Sequence, residues 1–204
     1  MKLSQARRDY YRKLAKNDGY RSRSAYKLKQ LNNSYHIFKS RNKVVDLGCA
    51  PGGWLQVLEE EIGNQGKIVG IDQKEVLPLK FATILRGSIE DPYMVEKIIK
   101  FLNGRADVVL SDLAPNVCGI WDIDHARQIS LTRSALTIVR KLLRKNGSAI
   151  FKVFEGDMLK QLKDDLAIDF ENVHYSKPDA SRKESSELYM ICLNFKAQDI
   201  IYFP

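Results

Sequence analysis

The stretch that most limits what this chain can become is VVDLGCAPGGW, from Val44 to Trp54. Val44, Val45 and Leu47 make a short apolar strand that runs into a glycine- and proline-rich turn. The next residues, WLQVLEEEI, place Trp54, Leu55, Val57, Leu58 and Ile62 close to helical spacing. A strand, a glycine-rich turn and a helix N-terminus form a nucleotide-type binding corner. Glycines let a ligand approach the backbone, and the first free N–H groups of the helix favour an anionic group.

Spacing narrows the ligand. A dinucleotide site needs G-x-G-x-x-G and a P-loop needs G-x-x-x-x-G-K-[ST]. Here the glycines are Gly48, Gly52 and Gly53 with no Lys-Ser/Thr after them, so nothing is equipped to hold a triphosphate and its magnesium. The next strand, KIVGID, ends in Asp72, where an acid meets ribose hydroxyls in strand–helix–strand nucleoside sites. The combination suits S-adenosylmethionine, an adenosine without phosphates whose carboxylate can sit at the helix N-terminus. An ordinary strand–turn–helix corner is the alternative, and the paired Asp72 weighs against it.

The chain has 204 residues, enough for one good core, and is read as a single domain over 1–204. Its 44% hydrophobic content decides against disorder, and no apolar run approaches the ~20 residues of a membrane span. The N-terminus carries charges throughout, unlike a secretory signal. Cys49, Cys118 and Cys192 are scattered without C-x-x-C spacing, which argues against disulfides and zinc. A reducing, cytoplasmic location is expected.

Charge is distributed unevenly. Residues 1–43 hold 13 Lys or Arg against Asp9 and Asp18, a balance of +11, while the remainder is −3. A basic segment on a neutral-to-acidic body implies a polyanionic partner. The basic residues interleave with Tyr10, Tyr11, Tyr20 and Tyr26, a mixture fit for phosphate contact and base stacking. Residues 1–43 are therefore expected to be a helical RNA-binding extension, broken near Asn17-Asp18-Gly19. Its second helix sets Ala25, Leu28 and Leu31 on a face that can pack on the body.

Strands and helices then alternate. FATILRG and ADVVLSD read as strands, and DPYMVEKIIKFLNG as a helix stopped by Gly104. ISLTRSALTIVRKLLRKNG reads as a long helix closed by Gly147, SAIFKVF as a strand and DMLKQLKDDLAI as a helix. NVHYS and ELYMICLNF follow without a helix between them, joined by the polar loop KPDASRKESS. This pattern predicts an α/β fold: a mostly parallel sheet, helices on both faces, and antiparallel pairing near the C-terminus.

Ligands bind at the carboxyl ends of parallel strands, where Asp46, Asp72 and Asp112 fall. Lys152 sits inside the apolar strand AIFKVF, where burial without a partner is costly; the bland alternative is a stem that snorkels to the strand end. Asp112, in SDLAPN, could equally cap a turn. Glu187 opens the last strand and Lys27 lies on the basic helix; each alone reads as a solvated charge.

Taken in order and spacing, VVDLGCAPGGW, SDLAPN, FKVFEG and KPDASRKESSELYM resemble the FtsJ/RrmJ family of RNA ribose 2′-O-methyltransferases, over nearly the whole chain. The resemblance implies a Rossmann-like methyltransferase fold with a seven-stranded, mostly parallel sheet and one antiparallel strand near the C-terminus. It places the family's Lys-Asp-Lys-Glu tetrad on Lys27, Asp112, Lys152 and Glu187, and S-adenosylmethionine contacts on Gly52, Trp54, Asp72 and Asp112, with Gly53 and Ser88 expected to join them. One position departs: the family has Gly-Asp after the third strand, whereas Gly87 is followed here by Ser88, with Glu90 or Asp91 as substitutes for the missing acid.

The residue types suit the chemistry. A ribose 2′-OH is a poor nucleophile until its proton is removed. Lys152 can act as base if its pKa falls, which burial and the cation Lys27 favour and Asp112 and Glu187 oppose; the acids are better suited to orienting the lysines and the hydroxyl. The sulfonium activates its own methyl group, so no metal is expected. The resemblance implies a uridine of large-subunit ribosomal RNA as substrate and a monomeric enzyme, with tRNA as the alternative substrate. Pyrimidine C5 methylation needs a cysteine, but Asn116 occupies that place and Cys118 reads as packing. A non-catalytic assembly factor that binds RNA and S-adenosylmethionine is the reading from another class.

Overall fold

A computed structural model describes residues 3–182 and 184–197, with side chains from Tyr10 onward. Met1, Lys2 and the basic side chains at 7 and 8, all part of the expected RNA-binding extension, lie outside the described residues or side chains, as do Lys183 and residues 198–204. The elements in chain order are α1 (Leu3–Asn17), α2 (Ala25–Tyr35), β1 (Lys43–Leu47), α3 (Gly53–Ile62), β2 (Lys67–Asp72), β3 (Ala82–Arg86) and α4 (Met94–Leu102). There follow β4 (Ala106–Ser111), α5 (Trp121–Leu142), β5 (Leu143–Phe154), α6 (Leu159–Asp169), β6 (Phe170–Ser176) and β7 (Glu187–Phe195).

The seven strands form one sheet in the order β3-β2-β1-β4-β5-β7-β6. Every pairing is parallel except those of β7, which runs antiparallel to both β5 and β6. This is the mostly parallel sheet with one reversed strand that the sequence leads one to expect. The chain leaves β1 towards β2 and β3, then returns to β4 on the other side of β1. That reversal opens a crevice at the carboxyl ends of β1 and β4, the place where such sheets bind ligands.

Two apolar layers sandwich the sheet, because alternate strand residues face opposite sides. Val45, Leu47, Val109, Phe151 and Val153 pack under α4, α5 and α6. Val44, Val108, Leu110, Ile150 and Tyr189 pack under α2 and α3. The basic N-terminal segment is therefore divided. Ala25, Leu28 and Leu31 of α2 are buried in the second layer, as are Ala15 and Tyr20 before it. Burying each leucine is worth ~1.5–3 kcal/mol, more than a surface ion pair supplies, so α2 is held as a core element.

The boundaries that differ most from the sequence reading are those of α5. Helix α5 starts at Trp121, eight residues before the expected Ile129, and ends at Leu142, before the expected Gly147. Leu143 instead pairs with Ala106 and Ser148 with Val108, so pairing to β4 draws Leu143–Gly147 into β5. Among the described residues, no helix is long and apolar enough to cross a membrane.

Candidate active site

The carboxyl ends of β1, β2, β3 and β4 enclose a cavity of about 630 Å³, lined among others by Gly48, Asp72, Ser88, Glu90, Asp112 and Asn116. Gly48 has φ +81°, and a β-carbon there would lie 2.8 Å from Leu113 Cδ2, so only glycine fits this wall. Asp72, the last residue of β2, accepts from Ala50 N (2.9 Å) and Lys74 N (2.8 Å), which ties the glycine turn to the loop after β2. Ser88 Oγ accepts from Glu90 N at 3.1 Å. Glu90 lies at the cavity, whereas Asp91 turns to Tyr93 N and to Lys97 Nζ, 3.7 Å away.

The turn residues Gly52, Gly53 and Trp54 sit differently from the cavity wall. A β-carbon on Gly52 would lie 2.6 Å from Arg21 Nη1, and one on Gly53 2.2 Å from Ser22 Oγ. Arg21 in turn donates to the carbonyls of Leu77 (2.7 Å) and Pro78 (2.9 Å). What approaches these two glycines is thus the N-terminal segment. The Trp54 side chain is buried, its Nε1 donating to Ser24 O (2.9 Å) and its ring 5.8 Å from that of Tyr189. Of the six positions expected to hold the cofactor, Asp72, Ser88 and Asp112 line the cavity, and the side of Gly52, Gly53 and Trp54 seen here packs against residues 21–24 or Tyr189.

Beside the cavity, four charged residues from four separate segments converge. Lys27 of α2 donates to both oxygens of Glu187 at 2.9 Å. Lys152 of β5 has Nζ 3.3 Å from Asp112 Oδ1 and donates to the Asp112 carbonyl at 2.6 Å. Both lysines are more than nine-tenths buried. Register explains the meeting, since β5 pairs with β7 so that Lys152 faces Tyr189, and Phe154 faces Glu187. Tyr189 joins the two ion pairs. Its hydroxyl donates to Asp112 Oδ1 (3.2 Å), and Lys27 Nζ lies 5.7 Å from its ring centroid.

The electrostatics of this cluster are uneven. Burial raises the Asp112 carboxyl above its ordinary range, against the pull of Lys152 and Lys27. Burial also acts to raise Glu187, but Lys27, with Lys152 and Arg23, outweighs it, and the carboxyl ends below its ordinary value. Tyr189 is fully buried and held well above the usual phenol range by burial, Asp112 and Glu187, so its hydroxyl stays a donor. Beneath the cavity, Asp46 is fully buried with neither carboxylate oxygen hydrogen-bonded. Burial, then Asp112 and Asp72, push its pKa well up.

Sequence reading did not single out Tyr189 or Gln128. Tyr189 lies two residues after Glu187, hence on the same strand face, and that spacing was the available signal. Gln128, on the buried side of α5, donates to the Lys152 carbonyl at 2.8 Å and the Leu113 carbonyl at 3.3 Å, holding β5 to the loop after β4. Cys118, expected to pack, is exposed: its N–H and that of Gly119 are bound by Asp124, which turns the loop outward.

Comparison with known proteins converges on one family. The family model described as FtsJ-like methyltransferase matches residues 20–195. The ribosomal RNA large subunit methyltransferase E of Nitrosopumilus maritimus is 48% identical over 195 residues, covering 96% of this chain and 99% of that protein. The protein of the same name from Methanothrix thermoacetophila is 49% identical over 189 residues, covering 93% of this chain and 73% of its own. Among solved structures, a Plasmodium falciparum protein described as a ribosomal RNA methyltransferase superposes with a TM-score of 0.81 at 34% identity, covering 88% of this chain and all of that one.

Proposed function

Because the chain belongs to the FtsJ-like methyltransferase family, we propose that it transfers a methyl group from S-adenosylmethionine to the ribose 2′-OH of a uridine in large-subunit ribosomal RNA. The observation that carries this reading is the convergence of Lys27, Asp112, Lys152 and Glu187 at the edge of a nucleoside-sized cavity.

The residues present fit the cofactor. Asp46, buried without a hydrogen-bond donor beside Asp72 and Asp112, is an acceptor that an ammonium-bearing ligand would neutralise. Asp72 is the acid suited to the ribose, and Ser88 with Glu90 offers polar atoms where the family has an aspartate. When bound, S-adenosylmethionine supplies an electrophilic methyl group on a cationic sulfonium.

The chain's own residues prepare the nucleophile. Lys152 Nζ receives the 2′-OH proton, and its position is set by the Asp112 carboxylate and carbonyl. Tyr189 fixes Asp112 by its hydroxyl, and Gln128 fixes the strand at the Lys152 carbonyl. Lys27 and Glu187 orient each other beside the pair of Lys152 and Asp112, where a ribose hydroxyl can accept from one and donate to the other. The exposed basic residues of α1, Arg12, Lys13 and Lys16, supply phosphate contacts.

Unmodified large ribosomal subunits, large-subunit RNA and unmodified tRNA, each offered with labelled S-adenosylmethionine, test the proposal. Digestion of the large-subunit product to a 2′-O-methyluridine is expected. Methylation of tRNA alone would overturn the substrate, and binding without turnover on any RNA would overturn the enzyme reading.

A further inference from the structure

Close to the charged cluster lies an aromatic surface that the proposed chemistry does not use. Trp121, the first residue of α5, is 46% exposed. Its ring is stacked on His125, with centroids 5.9 Å apart and planes 16° apart, and lies 6.1 Å from Phe154 at 30°. Ile120 and Val117, just before it, are exposed as well. An indole left half in water at a helix start costs apolar hydration unless something covers it.

The support beneath Trp121 is rigid. His125 is buried and accepts from Met158 N at 3.3 Å, and a β-carbon on Gly156 would lie 2.7 Å from its imidazole. The imidazole is therefore pressed against the backbone that follows β5. From the other side, Asp124 accepts from Cys118 N (2.7 Å) and Gly119 N (2.9 Å), fixing the loop that delivers Trp121. Even with His125 and Phe154 against it, nearly half of the Trp121 side chain stays open to solvent.

Its position relative to the cluster gives the surface a use. Phe154 and Lys152 lie on the same face of β5, about 7 Å apart along the strand, and Phe154 pairs in register with Glu187. A ribose placed for Lys152 thus has its attached or adjoining base within reach of Trp121. Arg127 is exposed one helical turn on from Ile123 and donates to Asn116 O at the cavity rim, a cation near the same path.

We propose that Trp121, backed by His125 and Phe154, is a stacking platform for an unpaired nucleobase of the RNA, at or next to the methylated nucleotide. The inference rests on the reading of Lys152 as the group that meets the ribose. An aromatic platform recognises a base by its π-face, independent of sequence, and thereby positions the attached ribose. Trp121 is on this account a substrate-positioning residue.

Trp121→Ala and Trp121→Phe separate the possibilities. With unmodified large-subunit RNA, the alanine variant should raise the KM for RNA roughly 5- to 150-fold, as expected for loss of one base–aromatic stack. Its affinity for S-adenosylmethionine should stay within about twofold, since stacking on RNA is the only function removed. The phenylalanine variant should recover most of the loss. Adding a short single-stranded RNA of mixed sequence should quench the exposed Trp121 emission, leaving that of buried Trp54, and the quench should vanish in Trp121→Phe. An unchanged KM in an active Trp121→Ala enzyme, or no quench in the wild type, overturns the platform. A wild type that methylates no RNA overturns the functional reading instead, and the quench then still decides whether Trp121 binds a base.

Discussion

Lys27 donates to both carboxylate oxygens of Glu187 at 2.9 Å, a pairing that closes a sequence separation of 160 residues. It fastens a buried face of the basic N-terminal segment to the first residue of the last strand. The basic N-terminal segment and the charged cluster beside the cavity therefore share a residue pair. An arm that moved independently of the sheet would break it.

Replacing Lys152 by alanine is expected to lower methyl transfer by ~10²–10⁴, the usual range for a general base, with S-adenosylmethionine affinity nearly intact. Single-turnover rates and equilibrium dialysis measure the two. Retention of more than about a tenth of the wild-type rate would remove Lys152 from the base role.

Stability should depend on Glu187 in a defined direction of pH. Its carboxyl lies below its ordinary 4.5 in the folded chain. The stabilisation is thus present above the unfolded value and is lost as pH falls through the lower, folded value. Thermal midpoints of the wild type and Glu187→Gln should differ most near neutrality and converge in acid. A gap that widens towards low pH contradicts this assignment.

Asp46 should behave with the opposite sign. Its folded-state pKa lies above the ordinary 3.8 through burial and its two acidic neighbours, so stability is full below the unfolded value and falls as pH rises through the folded one. In ligand-free protein, Asp46→Asn is expected to raise the thermal midpoint near pH 7–8, by about 2–4 °C for each kcal/mol, with the gain shrinking in acid. The same substitution should weaken S-adenosylmethionine binding. Equal midpoints across pH together with unchanged affinity would refute both halves.

Phosphate binding by α1 can be read from salt dependence. Arg12, Lys13 and Lys16 are exposed, whereas Ala15 and Tyr20 are buried, so substituting the three cations spares the core in a way that deleting the segment would not. Alanine at the three should flatten the slope of log K for RNA against log salt by about 0.7–0.9 for each phosphate no longer neutralised. An unchanged slope would move RNA binding elsewhere, with the loop at 177–186 the next segment to test.

Much of the framework is legible in the sequence because it is written in local periods. Alternating apolar strands and amphipathic helices are short-range patterns, and the antiparallel end follows from two strands joined without a helix. The boundaries of α5 are less legible. Pairing of Leu143 with Ala106 is a tertiary event, and it turns the end of an apparent helix into strand. Glycines give a partial answer of the same kind. A residue without a β-carbon announces that something comes close, but not what, and at Gly52 and Gly53 it is Arg21 and Ser22.

The sequence by itself determined the order of elements, the strand-end acids Asp46, Asp72 and Asp112, and a basic segment ahead of the catalytic body. Each of these depends on residue type and near spacing. Only the tertiary structure decided that Lys27 belongs to Glu187, that Glu90 and not Asp91 reaches the cavity, and that Tyr189 links the two ion pairs. It also decided that Asp46 is left without a donor. The physical reason is that partnership and desolvation are set by which distant backbones lie side by side. A charged residue in a sequence carries its charge wherever it is, but its partner, its exposure and the direction of its pKa shift are properties of the packed sheet.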